Sequence, residues 1–162
     1  MYKRQPYEGE IKPQAVVDVA KVLWDLGCYE ISLGDTIGVG TPLKARQLLR
    51  AVAGHVPMAK LAMHFHDTYG QALANLYAGM EEGCRVIDSA AGGLGGCPYA
   101  PGATGNVATE DVIYMLEGMG ISTGVDMPKL VAATNVVSGL IGRPPVSRVA
   151  AALNAKRAAG TA

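Results

Sequence analysis

The chain has little charge, with none of either sign in excess: 14 Lys and Arg balance 14 Asp and Glu among 162 residues. This balance argues against a nucleic acid or an anionic membrane as a partner. Three cysteines, an odd number at irregular spacing, argue against a disulfide framework and indicate a reducing compartment. No apolar run reaches the ~18 residues of a membrane helix, and no secretory segment begins the chain. We expect a cytoplasmic protein, or one of the mitochondrial matrix in a eukaryote.

What the sequence does contain is an alternation of helical and strand patterns in a chain that is nearly half apolar. This order predicts parallel strands joined by crossover helices, which is the α/β class. A short fourth strand is expected near Asn106, and Thr109 is expected to cap the helix that follows it. The predicted helices cover 13–27, 42–53, 69–82, 109–119, 126–140 and 146–159, and the predicted strands cover 29–34, 60–66 and 84–89.

A glycine-rich loop between Gly92 and Asn106 contains one thiol, Cys97, and two prolines. Such a composition suits neither helix nor strand, and its glycines let the backbone approach a ligand closely. Cys97 is therefore a candidate for chemistry, and the side-chain oxygen of Asn106 is a candidate metal ligand. Cys28 and Cys84, by contrast, are predicted to be small buried hydrophobic residues.

Two histidines, His64 and His66, stand at the end of a predicted strand. Side chains two residues apart on a strand point to the same face, so both imidazoles can reach one divalent metal. The alternative is two unrelated polar histidines near a strand end, and the spacing alone does not choose between them. The third histidine, His55, is expected in a solvated loop.

Several acidic residues follow the predicted strands or begin the next helix. Chemistry in parallel α/β folds collects where strands end, so these side chains and the paired histidines are expected on one face. Asp67 and Asp88 are expected to cap helices or to support the metal ligands through hydrogen bonds. Glu110 also suits the first turn of a helix, where the helix dipole favours an acid. The residues predicted on this face are Asp35, His64, His66, Asp67, Asp88, Cys97 and Asn106.

At these residues the chain closely resembles the 3-hydroxy-3-methylglutaryl-CoA lyases, metal-dependent (β/α)8-barrel enzymes of the group that includes the isopropylmalate and homocitrate synthases. The cysteine loop is the most specific feature, because the related synthases generally share the paired histidines but lack this loop. The matching segments are 6–9, 32–42, 64–71 and 92–111.

The resemblance implies a role for each matching residue. His64, His66 and Asn106 would bind Mg2+ or Mn2+, while Cys97 would act as acid or base on a lid. Asp35 would help to move protons near the substrate hydroxyl. The substrate would be (S)-3-hydroxy-3-methylglutaryl-CoA, cleaved to acetyl-CoA and acetoacetate in leucine breakdown and ketone-body formation.

The resemblance also implies supporting residues around that centre. Gly95 and Gly96 would belong to the loop that approaches the substrate, and Asp67, Asp88 and Glu110 would support the site.

The sequence departs from the family pattern at its start. The family's barrel has eight strands, and an Asp that completes the metal site and an adjacent Arg that stabilises the enolate have no counterpart here. We therefore expect the C-terminal half of a TIM barrel, with a lyase domain over 1–145 and a helix or tail over 146–162. Such a half would dimerise or require an N-terminal half, and would have little activity alone. A non-catalytic metal-binding module and a related acyl-CoA-dependent synthase are the alternatives.

Overall fold

The computed structural model describes residues 11–96 and 105–160, which form two compact units. The first unit contains residues 11–88 together with Gly96 and Gly105. The second contains residues 89–95 and 106–160. Among the described residues, no helix is both long enough and apolar enough to cross a membrane.

The first unit is a three-stranded parallel sheet with helices between its strands. The sheet has the order β1-β2-β3, so each strand pairs with the next one along the chain. The strands are parallel because each is followed by a helix, which carries the chain back to the end of the sheet where the previous strand began. Its elements are α1 (Pro13–Asp25), β1 (Ile31–Asp35), α2 (Pro42–Ala53), β2 (Leu61–Phe65), α3 (Ala72–Glu81) and β3 (Val86–Asp88).

The central strand β2 carries the candidate metal ligands, and its position in the sheet follows from its apolar composition. Leu61 and Met63 are fully buried, as expected for a strand flanked on both sides. Helix α3 comes very close to this strand at Gly79, where an added Cβ would collide with the Met63 sulfur. The register aligns His64 with Gly34 on β1 and with Asp88 on β3.

The second unit is helical among its described residues. It contains α4 (Thr109–Gly118), α5 (Met127–Ile141) and α6 (Arg148–Ala158). Asp126 caps α5 by accepting a hydrogen bond from the Lys129 N–H, and Ser147 caps α6 through the Ala150 N–H. In place of the fourth strand predicted near Asn106 there is a single parallel bridge between Ala90 and Ala108.

Two of the local predictions are wrong. Thr109 does not cap α4: it is the first helical residue, Ala108 precedes it, and the Thr109 hydroxyl lies 3.0 Å from the Ser89 hydroxyl. Cys28 is exposed, because it follows α1 in a turn outside the sheet, whereas Cys84 is buried as predicted. His55 is exposed, as expected for a loop residue.

Most helix bounds agree with the sequence pattern within one or two residues, but α3 begins later than expected. The predicted start at residue 69 is replaced by Ala72, because Gly70 adopts a positive φ of 68° and turns the chain first. The predicted boundary between a domain over 1–145 and a tail over 146–162 stays a prediction. Within the second unit, Asp111 accepts hydrogen bonds from the Ser147 hydroxyl and the Val149 N–H at the start of α6.

Candidate functional site

The paired histidines lie close together at the end of β2. The ring centroids of His64 and His66 are 5.3 Å apart, with an angle of 65° between the ring planes. At this separation both imidazoles can bind one ion through bonds of ~2.1 Å. His66 is buried, whereas His64 is partly exposed. The two rings therefore form a candidate pair of metal ligands on a rigid strand.

Asp88 on the neighbouring strand fixes the orientation of the His64 ring. Its Oδ2 lies 2.9 Å from His64 Nδ1. This contact suits the tautomer in which Nδ1 donates to the carboxylate, which leaves Nε2 as the ring nitrogen available to a ligand. A carboxylate bound to the outer nitrogen of a histidine is the usual arrangement around metal-bound histidines.

Asp35 ends β1 and is buried, with 3% of its surface exposed. Its Oδ1 accepts hydrogen bonds from the N–H groups of Gly38 and Val39, at 3.0 and 3.2 Å, and its Oδ2 accepts one from Gly40 at 2.6 Å. The carboxylate thus holds the backbone of the loop that follows its own strand. Gly40 leaves no space for a side chain, since a Cβ there would lie 2.7 Å from Asp35 Oδ2.

Asp67 follows the metal-ligand strand and helps to start α3. Its Oδ1 accepts a hydrogen bond of 2.9 Å from the Ala72 N–H, the first residue of that helix. Its own N–H donates to the Gly105 carbonyl at 3.1 Å. The carboxylate therefore accepts a hydrogen bond from one of the N–H groups that have no intrahelical partner at the start of a helix.

Glu110 lies in the first turn of α4 and is fully buried. Its two carboxylate oxygens lie 3.0 and 2.9 Å from the Gly92 nitrogen, and the Thr134 hydroxyl also donates to it. Gly92 has a positive φ of 62°, and a Cβ there would lie 2.8 Å from the Thr134 methyl group. Glu110 therefore anchors the start of the glycine-rich segment to α4 and α5 within the second unit.

Asn106 is held with its amide in a defined orientation. Its Nδ2 donates a hydrogen bond of 3.0 Å to the Leu94 carbonyl, and a Cβ on Gly95 would lie 2.7 Å from the same nitrogen. Its Oδ1 is buried and has no hydrogen-bond partner among the residues the structure describes. An oxygen that has lost water without gaining a partner is energetically unfavourable, so this atom suits a ligand.

The structure therefore brings His64, His66 and Asp88 together within the first unit and places Asn106 in the second. Cys97 lies outside the described residues, and Gly95 and Gly96, which directly precede it in sequence, are exposed. Within residues 11–96 and 105–160, no group of three His, Cys, Asp or Glu side chains could hold a metal. The resemblance assigns the third position to an asparagine, which is outside that set of residue types.

The sequence pattern did not identify one buried polar residue near Asp35. Asn75 is only 1% exposed, and its Nδ2 donates to the Gly40 carbonyl at 3.2 Å. Its position in the apolar stretch of α3 was the signal that could have revealed it, since an amide buried in a helix needs a partner. A small cavity borders Asp35, Gly40 and Asn75.

Comparison with known proteins gives a consistent result. The sequence profile of the HMGL-like family matches residues 4–137. The mitochondrial hydroxymethylglutaryl-CoA lyase of Homo sapiens is 56% identical over 147 residues, which are 91% of this chain and 45% of the human protein. The 3-hydroxy-3-isohexenylglutaryl-CoA/hydroxymethylglutaryl-CoA lyase of Pseudomonas aeruginosa is 58% identical over 151 residues, 93% of this chain and 50% of that protein.

A solved structure shows the same likeness in three dimensions. The crystal structure of hydroxymethylglutaryl-CoA lyase from Pseudomonas aeruginosa superposes with a TM-score of 0.90 at 58% identity, covering 93% of this chain and 50% of that one. The chain thus spans about half the length of these relatives.

Proposed function

The chain belongs to the HMGL-like family of TIM barrels, and on this premise we propose that it forms the metal-binding part of a carbon–carbon lyase. The proposed reaction cleaves (S)-3-hydroxy-3-methylglutaryl-CoA to acetyl-CoA and acetoacetate, a step of leucine breakdown and ketone-body formation. The observation that carries the proposal is the pair of histidine rings at the end of β2, one of them oriented by Asp88. Enzymes of this family depend on a divalent metal ion, and we propose that the ion here is Mg2+ or Mn2+.

The proposed ligands are His64, His66 and Asn106. The buried Oδ1 of Asn106 offers an oxygen of the kind that Mg2+ and Mn2+ prefer, and imidazole nitrogens bind many divalent metals. When bound, such an ion would polarise the substrate hydroxyl and make its proton easier to remove. Asp88 would support His64 directly through its hydrogen bond, whereas Asp67 and Glu110 would support the site by holding the start of α3 at Ala72 and the loop at Gly92.

The chemical steps require one group that removes a proton and one that supplies a proton. A base takes the proton of the C3 hydroxyl, the C2–C3 bond breaks, and its electron pair moves into the enolate of acetyl-CoA, which leaves acetoacetate. The enolate carbon then takes a proton, which the resemblance assigns to the thiol of Cys97. Gly95 and Gly96 would let the loop close over the substrate and exclude water. The resemblance assigns Asp35 to proton handling near the hydroxyl.

We further propose that the sheet of the first unit pairs with other strands, either from a second copy of the chain or from an N-terminal half. In the described part of the chain, β1 and β3 each pair with β2 alone, so each has an open edge. Open parallel edges favour pairing with another strand. A monodisperse monomer in light scattering, with a cooperative melting transition, would contradict this proposal.

The deciding experiment titrates the chain with Mn2+, followed by electron paramagnetic resonance, and assays lyase activity alone and after mixing with an N-terminal half. We expect Mn2+ binding that His64→Ala weakens strongly, and activity that appears on mixing. His55→Ala is the matched control, because His55 lies in an exposed loop. Mn2+ binding without turnover in any mixture would favour the non-catalytic module, and condensation products would favour the related synthase.

A further inference from the structure

The loop after β1, residues 36–40, is folded by the side chain that precedes it. All three N–H groups that end this loop, those of Gly38, Val39 and Gly40, point to the carboxylate of Asp35. The Gly38 N–H also lies 3.3 Å from the Asp35 carbonyl, which closes a turn. The Asp35 carboxylate therefore binds three successive N–H groups of this segment, and Asn75 Nδ2 holds its end by donating to the Gly40 carbonyl.

The same loop packs directly on the backbone of the metal-ligand segment. The His66 N–H donates a hydrogen bond of 3.1 Å to the Asp35 carbonyl. Gly38, with a φ of 70°, lies so close that a Cβ would be 2.8 Å from the Thr68 nitrogen and 2.9 Å from the His66 carbonyl oxygen. These neighbours are backbone atoms, so they cannot move away as a flexible side chain could.

We propose that Asp35 is a positioning residue for the metal ligand His66, and that its carboxylate acts by folding the loop at 36–40 against the His66–Thr68 backbone. This inference rests on the proposed metal site and changes the role of Asp35 within it. The carboxylate is an acceptor of backbone hydrogen bonds, so its effect on the reaction passes through the place where the His66 ring is held.

The contacts of Asp35 argue against a role as the proton carrier. Both of its oxygens are already used by N–H donors, and only 3% of its surface is exposed. An O–H on this carboxyl would face the Val39 and Gly40 N–H groups, whose acceptor is the carboxylate itself, and buried donors without a partner are unfavourable. Moving the carboxylate toward a substrate would release the loop that its oxygens hold.

Two substitutions test this inference from opposite sides. Asp35→Asn replaces one acceptor oxygen by an NH2 group that faces N–H donors, while keeping the size of the side chain. Gly40→Ala keeps the acid but adds a Cβ 2.7 Å from Asp35 Oδ2, which displaces it. No positive φ is required at Gly40, so crowding of the carboxylate is the main effect of this change.

We expect both variants to weaken Mn2+ binding about tenfold or more, as is usual when a residue that orients a metal ligand is lost. In nuclear magnetic resonance of the metal-free chain, both should shift the His66 amide and ring signals and increase amide exchange at Gly38, Val39 and Gly40. Gly118→Ala, in helix α4, is the control: its Cβ would meet nothing within 4 Å and its φ is not positive, so Mn2+ binding and the His66 signals should stay unchanged.

Unchanged Mn2+ affinity together with unchanged His66 signals in both variants would overturn the inference and favour proton transfer by Asp35. If a variant does not fold, amide exchange in the wild-type chain still tests the inference. Fast exchange of the Gly38, Val39 and Gly40 amides would show that the Asp35 carboxylate does not hold the loop at 36–40. If the wild-type chain binds no Mn2+, the proposed function fails, and the positioning role is judged by the His66 signals and amide exchange alone.

Discussion

The two units each contain a buried carboxylate that holds a glycine-containing loop, and the two carboxylates differ in where they come from. Asp35 binds N–H groups three to five residues ahead of it, whereas Glu110 binds the Gly92 N–H, which lies 18 residues behind it in sequence. Asp35 forms a local turn that its own segment encodes. Glu110 joins two distant segments, and its second donor, Thr134, comes from another helix.

This difference in sequence separation indicates which of the two loops needs tertiary packing in order to form. The Asp35 loop can begin to form from its own residues, since Asp and Gly at short spacing favour such side-chain-to-backbone turns. The Glu110 contact forms only after α4 and α5 have packed, because its donors belong to separate segments. We therefore expect a change at Glu110 to affect the whole second unit, and a change in the Asp35 loop to act more locally.

The largest effect is expected for Glu110→Ala. The change leaves the Gly92 N–H and the Thr134 hydroxyl buried without a partner, at about 1–3 kcal/mol for each. The free energy of unfolding, measured with urea, should fall by roughly 2–6 kcal/mol. Glu117→Ala, at an exposed site on the same helix, is the control and should have little effect. Equal stability of the two variants would show that the Glu110 contact is unimportant.

A glycine series compares the two loops directly. Gly38→Ala should cost about 3 kcal/mol, since it combines a positive φ with a collision against backbone atoms. Gly92→Ala should cost less, because its nearest neighbour is the methyl group of Thr134, a side chain. Gly124→Ala isolates the cost of the positive φ, as a Cβ there meets nothing within 4 Å. Thermal melts should follow this order, and a reversed order for Gly38 and Gly92 would contradict it.

A thiol measurement tests whether the sheet beside the Asp35 loop remains closed. Burial raises the pKa of Cys84, and its Sγ–H donates to the Leu61 carbonyl, whereas Cys28 is exposed. The raised pKa leaves less of the Cys84 thiol ionised than in an ordinary cysteine, and burial limits the access of reagent, so iodoacetamide at pH 8 should modify it about tenfold or more slowly than the exposed Cys28. Peptide mass spectrometry gives both rates, and added urea should remove the difference. Equal rates in the native chain would mean that the sheet opens readily.

The smallest effect is expected for an ion pair on the surface of the first unit. A hydrogen bond from Arg50 lowers the pKa of Glu82, so the pair stabilises the folded chain above the unfolded pKa of Glu82. This contribution is lost as the pH falls through the lowered folded pKa. The stability difference between wild type and Glu82→Gln should thus be slight at pH 7, smaller in high salt, and absent in acid. A difference that grows in acid would have the wrong sign.

Much of the fold could be predicted from local patterns. Helix α2 has the predicted bounds because Pro42 and Gly54 mark its two ends. The spacing of His64 and His66 predicted a shared side for their rings, and the rings do lie together. The predicted cap at Thr109 and the predicted burial of Cys28 are wrong because contacts with other segments decide both. Ser89 contacts the Thr109 hydroxyl, and Cys28 lies outside the sheet.

The sequence by itself determined the α/β class, the strand that bears the histidines, and membership of the HMGL-like family, because each depends on local periodicity or on a contiguous motif. Only the tertiary structure decided the long-range roles of these two regions. The short spacing of Asp35 and its glycines favours the turn locally, but the approach of Gly38 to the His66–Thr68 backbone and the contacts of Glu110 with Gly92 and Thr134 form only once the segments are packed. The physical reason is that a hydrogen bond depends on position and angle in space, and residue order alone does not specify either one.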